Sequence, residues 1–218
     1  MIERNPDAFA PFRVLNLFAG VGGNRHLWPS HWRVTAIEID PRVAAVYQRH
    51  YPNDEVIVGD AHEYLRVHYS EFDLIWSSPP CPTHSVMVKA TRHPNKKYPD
   101  MMLYQEIIFL QHIYKGKYVV ENVKPYYSPL IDPSFIIGRH YFWSNLTPGS
   151  MEKIPHFASN GKSIIKTTNV AGKLAICEWL GIPPIHDKIY FKGNHDPTKI
   201  VRNCVHPEMG LHIVKEMI

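Results

Sequence analysis

Through its first 123 residues this chain alternates short apolar runs with stretches of helical spacing, and most runs end on glycine or a polar side chain. Arg13 to Phe18 is such a run. It feeds Ala19-Gly-Val-Gly-Gly23, which reads as a buried strand entering a glycine turn. Val34 to Ile39 reads as a second strand, and Glu55 to Val58 as a third, closed by Gly59-Asp60. Phe72 to Trp76 is a fourth, ending at Ser77-Ser-Pro-Pro-Cys81. Tyr118 to Val120 is a fifth, ending at Glu121-Asn122. Between them, Pro41 to His50 gathers Val43, Ala44, Val46 and Tyr47 on one helical face behind a proline start. Met101 to Tyr114 carries Leu103, Ile107, Leu110 and Ile113 at helical spacing. This order predicts an α/β fold with a doubly wound, mostly parallel sheet. In such sheets the site lies beyond the carboxyl ends of the strands. Glu38, Asp60, Cys81 and Glu121 all fall at strand ends.

The remaining elements are less regular. Pro29 limits whatever helix follows the glycine turn to a short one. Phe135 to Trp143 supplies one or two strands. Ser144 to Ala171 is a polar, turn-rich stretch that reads as a small insert between 1–143 and 172–218. Leu174 to Leu180 is a short helix ended by Gly181 and Pro183. Pro207 to Met217 is a final amphipathic helix.

Composition excludes several classes. With 218 residues and 44% hydrophobic content, the chain has enough apolar material for one core, and wholesale disorder is excluded. No run of about 18 apolar residues predicts a membrane span. Cys81, Cys177 and Cys204 are too few and too scattered for a disulfide framework, and no CxxC pair marks a metal site. The expectation is a reduced, cytoplasmic protein without metal. A net charge of +4 is compatible with an anionic partner but does not by itself define one.

The glycine turn lets backbone approach a ligand closely. It has no Lys-Ser or Lys-Thr, which disfavours a phosphate cradle of the Walker type. Glu38 is placed to accept from ribose hydroxyls, and Asp60 from an adenine amino group. Each of these acids alone reads equally as a helix cap. Together, at successive strand ends after a glycine turn, they point to an adenosine-containing cofactor. Cys81 stands between Pro80 and Pro82 with Ser77, Ser78, Thr83, His84 and Ser85 around it. A thiol held rigidly in polar surroundings suits nucleophilic attack. Attack needs the thiolate, so positive charge or a helix N-terminus is expected nearby.

Leu17-Phe-Ala-Gly-Val-Gly-Gly23, Ile37-Glu-Ile-Asp40, Gly59-Asp60, Ser78-Pro-Pro-Cys81 and Glu121-Asn-Val123 occur in the order seen in DNA cytosine-5 methyltransferases, which this chain resembles. Ile176-Cys-Glu-Trp-Leu-Gly-Ile-Pro183 and Arg202-Asn-Cys-Val-His-Pro207 extend the resemblance through residues 172–218. It implies a methyltransferase that uses S-adenosylmethionine and acts on double-stranded DNA. Phe18, Ala19, Gly20, Gly22 and Gly23 would cradle the cofactor, with Glu38 on its ribose and Asp60 on its adenine. Ile39, Ala61, Pro79, Asn203 and Val205 would complete the pocket. Cys81 would add to C6 of a flipped cytosine, Glu121 would protonate N3, and Arg139 would contact O2 and steady Glu121.

The chain departs from the family pattern in three places. Gln-x-Arg-x-Arg reads here Ile137-Gly-Arg-His-Tyr141, with only the central arginine kept. The segment after the cysteine is Pro82-Thr83-His84-Ser85, followed by a basic loop with Lys89, Arg92, Lys96 and Lys97. Ser85 and those four side chains are candidate DNA contacts. A recognition domain of ordinary size is replaced by about 28 residues, Ser144 to Ala171, with Lys153, Lys162 and Lys166 as further candidate contacts. Such a segment cannot bury its own core. Target reading is therefore expected to be short, loose, or shared with a second copy in a homodimer. A compact enzyme of this kind suits a bacterial or phage-infected cell. Other readings are an idle DNA-binding module, the same chemistry on RNA, or transfer of a larger group.

Overall fold

A computed structural model describes residues 11–85, 98–151, 157, 164, 167–191 and 195–218. The strands are β1 (Arg13–Leu17), β2 (Arg33–Glu38), β3 (Glu55–Val58), β4 (Leu74–Ser77), β5 (Lys117–Val123), β6 (Phe135–Ile137) and β7 (His140–Ser144). The helices are α1 (Pro41–His50), α2 (Ala61–His68), α3 (Met102–His112), α4 (Val170–Leu180), α5 (Lys199–Arg202) and α6 (Pro207–Val214).

The strands form one sheet in the order β3-β2-β1-β4-β5-β7-β6. Neighbours among β1 to β5 pair in parallel, whereas β7 runs antiparallel to both β5 and β6. The chain winds outward from β1 to β3, then returns to β4 on the other side of β1. The topological switch point is therefore the crevice between β1 and β4, where open α/β sheets place their ligands. The glycine turn leaves β1 there, and the cysteine segment leaves β4 beside it.

Central strands are apolar on both faces because both faces are covered. On one side Leu15, Leu17 and Ile75 pack with Leu65 of α2 and with Ile107 and Leu110 of α3. On the other, Val14, Trp76, Val119 and Phe142 pack with Trp28, Trp32 and with Met209 and Ile213 of α6. A third cluster joins Val43 and Val46 of α1 to Ile176, Cys177 and Leu180 of α4. No helix among the described residues is long and apolar enough to cross a membrane.

The structure corrects several sequence-based expectations. The short helix before Pro29 does not form. Residues 20–31 make a run of turns, with Trp28 N–H donating to Arg25 O at 3.0 Å. Arg25 makes a buried ion pair at 2.9 Å with Asp54, in the turn after α1, and also donates to Trp28 O at 3.2 Å, so its side chain clamps this stretch as turns against that segment. α2 is an additional helix. Only Ala61 and Leu65 of its eight residues are buried, so its apolar pattern is too sparse to announce it. β5 is longer than the apolar core Tyr118 to Val120, because pairing with β7 carries it through Glu121↔Phe142 to Val123↔His140. α4 begins at Val170, capped by Asn169, whose side chain accepts from Gly172 N–H at 2.7 Å.

Candidate active site

β1 delivers a sharp turn. Phe18, Gly20 and Gly22 all take positive φ, of 53°, 56° and 80°. Phe18 is the only residue other than glycine to do so among the described residues, and such a conformation persists only where the surroundings enforce it. A Cβ on Gly20 would meet nothing within 4 Å, so the turn presents bare backbone to open space. A Cβ on Gly23 would lie 2.6 Å from Val205 O and 2.8 Å from Cys204 Cβ. Gly23 is thus where the segment Asn203–Val205 closes on the turn.

The Glu38 carboxylate is tied to this turn. Oε2 accepts from Gly20 N–H at 3.0 Å and Oε1 from Asp40 N–H at 2.9 Å. Burial raises its pKa, and these backbone donors oppose the rise. Each oxygen keeps a further lone pair for a hydroxyl donor. Asp60 serves as the cap of α2, accepting from Glu63 N–H at 3.0 Å. Its exposed carboxylate keeps acceptor capacity beyond that bond. Ile39 is 69% exposed at the end of β2. The Phe18 ring meets His62 edge-on at 5.1 Å between centroids. Ala61, Pro79 and Val205 are buried, and Asn203 is exposed. Acceptors for hydroxyls, an exposed aliphatic side chain and open backbone fit a nucleoside.

On the β4 side, the segment after Ser77 is held from three directions. Asn122 Nδ2 donates to Pro79 O at 3.0 Å. Backbone N–H groups of His84 and Ser85 both donate to Cys81 O at 3.0 Å. His84 is buried, and its Nδ1 lies 2.6 Å from Tyr127 Oη. Cys81 is half-buried. Its thiol pKa is raised, first by burial and then by the Glu121 carboxylate, and the cations Arg139 and Lys199 oppose this without reversing it. The expected positive charge is present, but in the protein alone it does not win. Cys177 is buried in the third cluster, and burial pushes Cys204 up to about 12. Neither offers a comparable nucleophile.

Glu121 is 6% exposed within β5, and its Oε1 lies 2.6 Å from His140 Nδ1 on β7. Cys81, Glu121 and Arg139 thus converge at the carboxyl edge, with Glu38 and Asp60 farther along it. A sequence profile of the C-5 cytosine-specific DNA methylases matches residues 12–129, more than half of the chain. The chain belongs to that family.

A solved structure shares the fold over nearly the whole chain. A methyltransferase of Entamoeba histolytica, EhMeth, superposes over 96% of this chain and 99% of its own, with TM-score 0.53 at 12% identity. A SAM-dependent methyltransferase from Agrobacterium tumefaciens matches 56% of this chain and 41% of its own (TM-score 0.41, 18% identity). A mutant DNMT2 from Spodoptera frugiperda matches 52% of this chain and 36% of its own (TM-score 0.38, 22% identity). The chain therefore spans less than half the length of those two proteins. No curated protein matches its sequence. The fold is that of S-adenosylmethionine-dependent methyltransferases, and the family implies S-adenosylmethionine as cofactor.

Within this methylase, sequence reasoning overlooked three features. The Glu121 carboxyl shares a hydrogen bond with His140 Nδ1, while Arg139, its expected partner, lies exposed in the β6–β7 turn. Lys199 of α5 lies within electrostatic range of Cys81. His62 pairs with the buried Glu106 of α3 at 3.0 Å behind Phe18. None carries a spacing signal, since each partner comes from another element. Ser85 is described and bridges to Pro125. Lys89, Arg92, Lys96, Lys97, Lys153, Lys162 and Lys166 lie outside the described residues.

Proposed function

We propose that this methylase transfers a methyl group from S-adenosylmethionine to C5 of cytosine in double-stranded DNA, through a covalent bond between Cys81 and C6 of a flipped base. The observation that carries this reading is the pairing of Cys81 with a buried carboxylic side chain, Glu121, beside the turn that Glu38 braces. Bound cofactor supplies an electrophilic methyl group. Phe18 to Gly23, Ile39, Ala61, Pro79, Asn203 and Val205 hold it, with Glu38 on its ribose and Asp60 on its adenine.

The Cys81 thiolate, its proton lost to solvent, bonds to C6 while Glu121 gives its proton to N3. Electron density moves to C5, where the bound cofactor would supply its methyl group and leave as the neutral sulfide. Loss of the C5 proton to solvent then lets Sγ leave C6 as thiolate, the N3 proton returns to Glu121, and the aromatic ring is restored. Splitting one difficult substitution in this way is covalent catalysis. Protonation of N3 by Glu121 withdraws electron density from C6 and so activates it toward attack by the Cys81 thiolate. C6 is out of reach inside a duplex, so extrusion of the base belongs to the mechanism. Arg139 contacts the base at O2.

We assign residues 1–143 and 172–218 to catalysis and 144–171 to a reduced recognition region. The lysines and arginine of the two basic segments neutralise phosphates, and Ser85 is a DNA contact beside them. Such binding falls steeply with salt. Each good base contact gives about 1–3 kcal/mol of discrimination, so a short segment reads about two to four base pairs. The alternative is target reading shared with a second copy in a homodimer.

Duplex DNA containing 5-fluorocytosine tests the reading, because fluorine at C5 cannot leave and the adduct persists. The expected result is a cofactor-dependent covalent complex mapped to Cys81. An adduct at Cys177 or Cys204, or none on DNA but one on structured RNA, would overturn it.

A further inference from the structure

His140 occupies an unspecified position of the Gln-x-Arg-x-Arg pattern, and it is built into the sheet. Its neighbours Gly138 and Arg139 form the turn between β6 and β7, with Gly138 at φ 59°. Lys124 N–H donates to Arg139 O at 2.8 Å, which pins that turn to the end of β5. The register then sets His140 opposite Val123 and Phe142 opposite Glu121. His140 and Phe142 share a face with Glu121, because side chains alternate along a strand. The result is a 2.6 Å contact from Nδ1 to Glu121 Oε1, with side-chain exposures of 13% and 8%.

We propose that His140 is the positioning residue for Glu121: it donates Nδ1–H to Oε1 and so leaves Oε2 as the oxygen that exchanges a proton with cytosine N3. This rests on the reading of Glu121 as the acid. This role sets the tautomer: with Glu121 protonated on Oε2 in the base complex, Oε1 only accepts, so Nδ1 carries hydrogen. As Cys81 Sγ bonds to C6, the C5–C6 π pair moves toward C5 and N3 takes the Oε2 proton. Glu121 is left a carboxylate, and its bond from His140 becomes charge-assisted, about twice as strong as before. The contact therefore tightens along the reaction coordinate, the condition for a rate effect rather than a binding effect. On reversal the S–C6 bond breaks and the N3 proton returns to Oε2, so no outside proton donor is consumed. His140 does not touch the base.

Release of tritium from duplex DNA labelled at cytosine C5, measured without cofactor, tests this on the full chain. Cys81 addition and N3 protonation let C5 take a solvent proton and lose tritium, so this readout isolates the addition step. His140→Leu is expected to slow release about 10- to 100-fold, less than the loss of the acid itself, with the Kd for DNA within about threefold. His140→Gln retains an N–H donor and is expected to recover to within about fivefold of wild type. In a Glu121→Gln background, His140→Leu should add less than about threefold, since coupled residues are non-additive. Full-rate release by His140→Leu, an equal loss in both backgrounds, or a Gln variant as slow as a well-folded Leu variant would overturn the proposal. If His140→Leu does not fold, the Gln variant alone decides: release more than about fivefold below wild type would overturn it. Absence of release by wild-type protein overturns the cytosine chemistry itself, and normal release with insensitive His140 variants overturns only this inference.

Discussion

The two ends of the carboxyl edge are built differently. Near β1 and β2, carboxylates accept from backbone N–H groups: Glu38 from Gly20 and Asp40, Asp60 from Glu63. Near β4 and β5, side chains reach across from other elements: His140 to Glu121, Asn122 to Pro79, Tyr127 to His84. The first arrangement is fixed by main chain, suited to holding a cofactor. The second couples side chains on separate strands and loops, so a charge change on one is felt by the others, which suits proton transfer. Damage at the two ends should therefore differ in kind, binding at one and rate at the other.

The sharpest break falls on the β4 side. Cys81→Ala should abolish methylation of DNA while leaving cofactor affinity within a few fold. Robust turnover by that variant would remove Cys81 from the chemistry. Glu121→Gln should cost about 10²–10⁴-fold in single-turnover rate, the range for general acid catalysis. The same variant should alkylate faster at Cys81 near pH 8. Its lost carboxylate is one of the two causes raising the thiol pKa, so the thiolate fraction rises when it goes. Slower alkylation would show that Glu121 and Cys81 are not coupled.

On the β1–β2 side, Glu38→Ala should weaken cofactor binding by calorimetry with little change in the rate at saturating cofactor. Each lost bond to a charged group is worth about 1.5–3 kcal/mol, about tenfold or more in Kd. Gly23→Ala should destabilise the fold by about 1–3 kcal/mol in urea unfolding, because its methyl group meets Val205 O and Cys204. An unchanged midpoint would show that Asn203–Val205 does not close on the turn.

The smallest effect concerns His62 behind Phe18. Its bond to Glu106 raises its pKa above the usual 6.5. A raised histidine pKa contributes stability that is fully present below about pH 6.5 and is lost as pH rises through the raised value. His62→Gln should thus destabilise more at pH 6 than at pH 8.5. Equal losses at both would separate His62 from Glu106.

The same division explains what was legible in the sequence. The strands, α1 and the placement of Glu38, Asp60 and Cys81 were readable because each depends on residues within one strand and its turn. Glu121 was readable as a position, but its partner was not. His140 lies 19 residues on, and only the β5–β7 register brings the two together. The helix expected before Pro29 failed for a related reason. Arg25 is drawn to Asp54, 29 residues away, and no local pattern records that pull. Histidine is also frequent here, with 14 in the chain, so no single one stood out.

Mass spectrometry of nucleosides from duplex DNA, after incubation with the protein and S-adenosylmethionine, tests the central claim most directly. The account predicts 5-methylcytosine from wild-type protein and none from Cys81→Ala. No methylated nucleoside from wild type, methylation on an exocyclic nitrogen, or equal 5-methylcytosine from both proteins would contradict it.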